Sequence, residues 1–242
     1  MLLALTSFAL AFDSTHATLQ KVLTANVASG KVNYAAIKAA PADLDAYLAE
    51  VAAAPVSTLS ASEKKALYIN AYNAYTLDLL ADNYPLTAIT SLDGGKVWET
   101  RKFNVGGTQM TLNDIENKNL RTLGDPRIHA AVNCGAIGCP SLSSTVYLAS
   151  SLESQLDAAA KKWASANAWS GTVLSINMIF DWYGEDFTAK YGTAYYDIPG
   201  LEGEQEAAAN FIGKYASDRT DALKKGGYTV SFTSYNWNLN SK

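Results

Sequence analysis

Ser60–Pro85 reads SASEKKALYINAYNAYTLDLLADNYP. Ser60 followed by Glu63 is a capping-box signal, because hydroxyl and carboxyl can each satisfy an orphan amide of a first helical turn. Alanine is abundant from residue 35 to 82 and favours helix. The pattern predicts one long helix from about Ser62 to Asn83, closed by Pro85. Asn70, Asn73 and Leu77 share a face by their i, i+3, i+7 spacing. Amides on so apolar a helix need partners if buried. Asn70 and Asn73, together with Asn133 further on, are candidates for positioning a substrate. The plainer reading is that such amides bond neighbouring backbone and hold the core.

On either side of this helix the signals alternate between helix and strand. Asp43–Ala53 carries Leu44, Tyr47, Leu48 and Val51 at helical spacing. Thr87–Leu92 reads as a short connection. VWETRKFNV and TQMTL then flank Gly106-Gly107, a hairpin signal. Thr111 with Asp114 marks another helix start, and that helix runs to about Leu123, where Gly124-Asp125-Pro126 breaks it. Arg127–Val132 alternates in a way that predicts a short strand. Cys134–Pro140 is a glycine-bearing loop. Helices are expected at about Leu148–Asn167 and Glu204–Ser217, and strands at Thr172–Ile176 and Tyr228–Phe232. No stretch reads as a linker, so one α+β domain with an antiparallel sheet is expected over residues 12–242.

The chain has 242 residues, 48% hydrophobic and 17% charged, enough apolar side chain for a sizeable core. Lys and Arg number 19 against 23 Asp and Glu, a net charge of −4 that argues against a nucleic-acid partner or a polybasic membrane tether. No apolar run approaches the roughly 20 residues of a membrane span. MLLALTSFALA at residues 1–11 resembles the apolar core and small-residue end of a secretory signal, although the basic start is missing. The alternative is a short N-terminal helix. The signal reading makes the protein periplasmic or secreted, with His16 close to a mature terminus where order is usually poor.

With two His and two Cys in the whole chain, candidates for nucleophilic chemistry are few. RIHAAVNCGAIGCPSL at residues 127–142 holds His129, Cys134 and Cys139. A thiol becomes a nucleophile when an imidazole takes or offsets its proton. An extended chain would separate positions 129 and 134 by roughly 16 Å, so the backbone has to reverse after Asn133. Gly135 and Gly138 permit that reversal. Cys139 precedes Pro140, which suits the first position of a helical turn. Glu116 is the expected orienting group for His129, with Asp114, Asp125 and Asn133 as rivals. Two other readings stand beside the catalytic one. Outside the cytoplasm the two cysteines would commonly form a disulfide. His129, Cys134, Cys139 and Glu116 also have the ligand types of a zinc site, but their spacing matches no familiar zinc pattern, and no metal or cofactor is assigned. Trp98, Trp182, Tyr183, Tyr235 and Trp237 read as core and rim packing.

These residues resemble a known family, the bacterial and plant domain of unknown function 547. The motifs that carry the resemblance are YINAYNA at residues 68–74, Leu112 through Glu116 with Leu120-Arg121, Arg127-Ile128-His129, and Asn133-Cys134. Further motifs are Gly138 through Leu142, Phe180 through Tyr183, and Asp186-Phe187. The resemblance implies that Asn70, Glu116, His129, Cys134 and Cys139 occupy motif positions. It supplies no substrate. The expected fold is a helix-rich α+β domain with a small antiparallel β-sheet, a papain- or transglutaminase-like core being one option for its centre. The leading functional expectation is a cysteine-dependent hydrolase or acyltransferase acting on a small-molecule or peptide amide or thioester. In it the thiolate of Cys134 or Cys139 is activated by His129, and Glu116 orients the ring. The alternative is a non-catalytic extracytoplasmic binding module with a Cys134–Cys139 structural disulfide.

Overall fold

A computed structural model describes residues 12–242, so the expected signal or N-terminal helix at residues 1–11 lies outside the described residues. In chain order the helices are α1 Ala17–Asn26, α2 Tyr34–Ala39, α3 Ala42–Ala52, α4 Ala61–Asp82, α5 Val97–Thr100, α6 Leu152–Ala166, α7 Ile179–Trp182, α8 Gly184–Tyr191, α9 Gly203–Tyr215 and α10 Thr220–Lys224. The strands are β1 Val27–Ala28, β2 Lys31–Val32, β3 Lys102–Val105, β4 Thr108–Thr111, β5 Ala168–Trp169, β6 Val173–Asn177 and β7 Thr229–Thr233. The fold is α+β and helix-rich. Among the described residues, no helix is long and apolar enough to cross a membrane.

The capping box of α4 forms as expected, with Ser60 Oγ accepting from the Glu63 amide and the Glu63 carboxylate accepting from the Ser60 amide. From Ala66 to Ala81 nearly every side chain of α4 is buried. It is therefore a central helix, wrapped on all sides. Its Leu67, Ile69 and Leu80 join Leu19, Tyr34 and Tyr47 in one hydrophobic cluster. A second cluster gathers on α9, where Trp163, Phe180, Phe187 and Phe211 pack ring against ring.

The sheets are small. The hairpins β1–β2 and β3–β4 are antiparallel, as is β5–β6. The pair β6–β7 is parallel and stands beside the expected antiparallel pairs. Parallel neighbours need a long crossover, and α7 through α10 supply it.

The expected strand at Arg127–Val132 is instead a 3-10 helix over Pro126–Ala130. Asp125 caps it by accepting from the Arg127 amide, and Pro126 at the first position presets its backbone. The Arg127 guanidinium then ties the segment to Asp125 and to Asp157 and Glu153 of α6. Alternating burial is absent here because both sides of the segment are covered. Ile128 joins the first cluster and Ala130 the second. The segment is the seam between the two clusters.

Two other local expectations change. The expected connection around Thr87–Leu92 holds two short 3-10 turns within Ile89–Gly95, separated by non-helical backbone at Leu92, Asp93 and Gly94, and Val97–Thr100 forms α5 rather than strand. The helix expected after Asp114 is wound as a π-helix over Asp114–Leu120, followed by a 3-10 turn at Arg121–Leu123.

Candidate functional site

The seam fixes His129. Its ring is buried, stacked on Tyr183 at 4.3 Å between centroids and tilted against Phe187 at 5.6 Å. Its Nε2 lies 2.8 Å from Asp186 Oδ2, and its Nδ1 lies 3.6 Å from Glu116 Oε1. Glu116 is the orienting group expected from the sequence. The close contact belongs to Asp186, which the Arg121 guanidinium grips with two hydrogen bonds of 2.7 and 3.0 Å. A row of alternating basic and acidic side chains results, Arg121–Asp186–His129–Glu116. Burial alone would disfavour a charged ring, but the hydrogen bond to Asp186 and the nearby Glu116 carboxylate outweigh it and raise the pKa of His129. Burial likewise works against an ionised Asp186, and the bonds from His129 and Arg121 overcome it, bringing its pKa down to about 2. His129 is therefore held between two carboxylates, one facing each ring nitrogen.

Glu116 is buried on the π-wound segment, a geometry common at functional sites because the wider turn redirects side chains. The hydroxyls of Tyr72 and Tyr183 face it. Burial, and then the charge of Glu116, push both phenols up, so both remain protonated and able to donate.

The reversal expected after Asn133 occurs, with Gly135 at φ +82°. Cys134 and Cys139 are joined in a disulfide. With no S–H on either sulfur, the Tyr235 hydroxyl is the donor in its contacts, at 3.0 Å to Cys139 Sγ and 3.2 Å to Cys134 Sγ. The Cys134 amide also donates to Cys139 Sγ, at 3.1 Å. Among the described residues no three His, Cys, Asp or Glu side chains are grouped to hold a metal ion.

Glu116, His129, Cys134 and Cys139 all line one cavity of about 210 Å³. Its mouth is aromatic. Tyr235 lies 4.5 Å from Trp237 and 4.8 Å from Trp182, and Trp98 lies 5.9 Å from Trp237. Read as scattered packing in the sequence, these rings converge on the same cavity. Trp182 and Trp237 remain partly exposed at its rim.

The three asparagines named as substrate-positioning candidates do not line this cavity. Asn70 donates to the Tyr147 carbonyl and accepts from the Tyr147 amide. Asn73 donates to the Ala131 carbonyl and accepts from the Asn133 amide. Asn133 donates to the Pro140 carbonyl and accepts from the Gly135 amide. All three use their amides on backbone; Asn73 and Asn133 hold the segment around His129 and the cysteines, and Asn70 holds the loop at Tyr147. The rivals to Glu116 are also committed elsewhere, Asp114 to Thr111 and Lys118, and Asp125 to Lys65 and Arg127. His16 is buried rather than loose, its Nδ1 2.8 Å from the Tyr47 hydroxyl.

Asp186, Arg121 and Tyr235 were not singled out for the site by sequence reasoning. Asp186 and Arg121 stood in the quoted motifs, but Asp186 is 57 residues from His129, and no local pattern joins the two. Tyr235 lies 96 residues beyond Cys139 and carried no signal beyond being aromatic.

No curated protein and no solved structure matches the chain. One family model does, described as a protein of unknown function, DUF547, over residues 56–163. Across that stretch, which contains Asn70, Glu116, His129, Cys134 and Cys139 but neither Asp186 nor Tyr235, the chain resembles the DUF547 family.

Proposed function

We propose that the chain is an extracytoplasmic binding module for a small ring-shaped molecule, lodged in the aromatic cavity with the Cys134–Cys139 disulfide as one wall. The observation that carries this reading is the convergence of Trp98, Trp182, Trp237 and Tyr235 over a floor whose charges are already paired. Aromatic faces give a ring a large contact area at low entropic cost, and a few fixed polar groups orient it. Glu116 offers acceptor oxygens and Tyr72 and Tyr183 offer hydroxyls. The disulfide suits an oxidising compartment, which is the ground for the periplasmic or secreted setting.

A thiol hydrolase needs an open thiolate and an imidazole nitrogen able to take its proton. Here the sulfurs are bonded to each other and both ring nitrogens face carboxylates, so binding is the preferred reading.

Saturation-transfer NMR with a library of ring-bearing fragments tests it. Fragments that receive transfer from the native protein are expected to lose it in Trp237→Ala and Trp182→Ala. If no fragment binds, or binding ignores both substitutions, the reading is wrong.

A further inference from the structure

The disulfide is placed in a way that a purely structural bridge does not require. Its backbone is held independently of the sulfur bond. Asn133 spans the loop by donating to the Pro140 carbonyl. The Ile137 and Gly138 amides donate to the Asn238 and Asn236 carbonyls, and Asn177 donates to the Gly138 carbonyl. The Asn240 amide donates to the Gly135 carbonyl. Opening the S–S bond leaves all of these in place, so the two sulfurs stay neighbours in either redox state.

The bridge is also reachable. Both cysteines are half-buried rather than enclosed. They line the aromatic cavity, and Cys139 and Tyr235 also line a second, larger groove of about 660 Å³ walled by Ser141, Gln155, Asn177 and Thr233. Cys139 therefore borders two openings, and Cys134 one of them.

The two sulfurs are not equivalent. Cys139 Sγ receives both the Cys134 amide and the Tyr235 hydroxyl, while Cys134 Sγ receives only the hydroxyl, at the longer distance. Hydrogen-bond donors stabilise a thiolate, and the better-stabilised sulfur is the better leaving group in disulfide exchange.

We infer that Cys134–Cys139 is an exchanging disulfide that oxidises a dithiol substrate, with Cys134 the sulfur attacked and Cys139 the sulfur released. A substrate thiolate attacks Cys134 Sγ and forms a mixed disulfide. The Cys134–Cys139 bond breaks and its electron pair leaves on Cys139 Sγ, which the Cys134 amide and Tyr235 hydroxyl stabilise. A second substrate thiolate attacks the substrate sulfur of the mixed disulfide. Cys134 departs as a thiolate and takes up a proton, as Cys139 does at lower pH. Two electrons and two protons pass from the substrate dithiol to the pair. This activity does not rest on the ligand-binding reading, and either can fail alone.

The test uses the full chain and dithiothreitol as the dithiol probe. Native protein is equilibrated in dithiothreitol buffers of graded redox ratio, and thiols are counted by maleimide labelling and mass spectrometry, with circular dichroism as a check on folding. Reversible reduction without loss of the native spectrum is expected. In the reduced native protein, Cys139 is expected to alkylate at pH 6 roughly tenfold faster than Cys134. Tyr235→Phe is expected to shift the equilibrium toward the disulfide by roughly threefold or more, since the reduced form loses a donor. Cys139→Ser is expected to accumulate a stable mixed disulfide on Cys134 when treated with oxidised glutathione. A bridge that opens only on unfolding overturns the inference. So does faster alkylation of Cys134 than of Cys139 in the native protein, a measurement that stands even if the serine variant fails to fold.

Discussion

The two histidines of this chain are buried in opposite electrostatic settings. His129 lies between Asp186 and Glu116, whereas His16 has only a neutral phenol at its Nδ1, and burial brings its pKa down to about 4. Because the chain holds only these two, an imidazole NMR titration resolves both. The expected result is one ring that titrates above the ordinary value near 6.5 and one that stays neutral well below it. Asp186→Asn should lower the His129 value, and a His129 pKa that does not move would show that Asp186 does not hold the charge. The two rings act on stability with opposite dependence on pH. His129 contributes stability that is full below about 6.5 and is lost as pH rises through its raised folded value. His16 is the reverse. Below about 6.5 the unfolded ring takes up a proton that the folded ring refuses, so stability falls by roughly 2–3 kcal/mol as pH drops toward 4. Urea unfolding at pH 7 and pH 4.5 checks this. His16→Asn, which tolerates the φ of +52° at that position, should flatten the difference even if it lowers stability at both pH values.

At the scale of elements, the long helix was legible and the seam was not. Ser60 and Glu63 lie three residues apart, so the capping box of α4 is a local event readable from spacing. Ser60→Ala should cost about 1 kcal/mol in denaturant unfolding, with no change in the cavity. The helices α3, α6 and α9 and the strands β6 and β7 also lie within a few residues of their expected positions, because their apolar periodicity reports a buried face. Arg127–Val132 misled because alternation in sequence resembles a half-buried strand, while the segment is covered on both sides and pinned by Arg127. The cysteine loop lies between these cases. Glycine at 135 signalled the reversal, and the structure adds why nothing larger fits there. A Cβ would strike Leu80 Cδ1 of α4, at a backbone conformation that side chains avoid. Gly135→Ala should therefore destabilise by about 1–3 kcal/mol and disturb the disulfide loop, as read by denaturation and by the rate of thiol labelling.

Over the whole molecule, the C-terminal segment joins parts that are distant in sequence. Asn240 accepts from the Tyr34 hydroxyl and donates toward Gly30 and Asn133, while Leu239 bridges to Ala136. The same segment delivers Tyr235 to the sulfurs and Trp237 to the cavity mouth. Asn240→Ala leaves the buried Tyr34 hydroxyl without its partner and should cost about 1–3 kcal/mol. It should also loosen Trp237, measurable as a change in tryptophan emission. Local spacing was enough to specify the caps, the periodic helices, the hairpin at Gly106-Gly107 and the short list of reactive side chains, because each depends on residues within a turn or two of one another. The partnership of His129 with Asp186, the donor that Tyr235 offers the sulfurs, and the closing of the tryptophans over one cavity depend on contacts between segments distant in sequence, 57 residues apart for His129 and Asp186 and 101 for Cys134 and Tyr235. Such contacts leave no periodic trace in the chain. They exist because two hydrophobic clusters pack against a shared seam, and burial there selects which distant side chains meet.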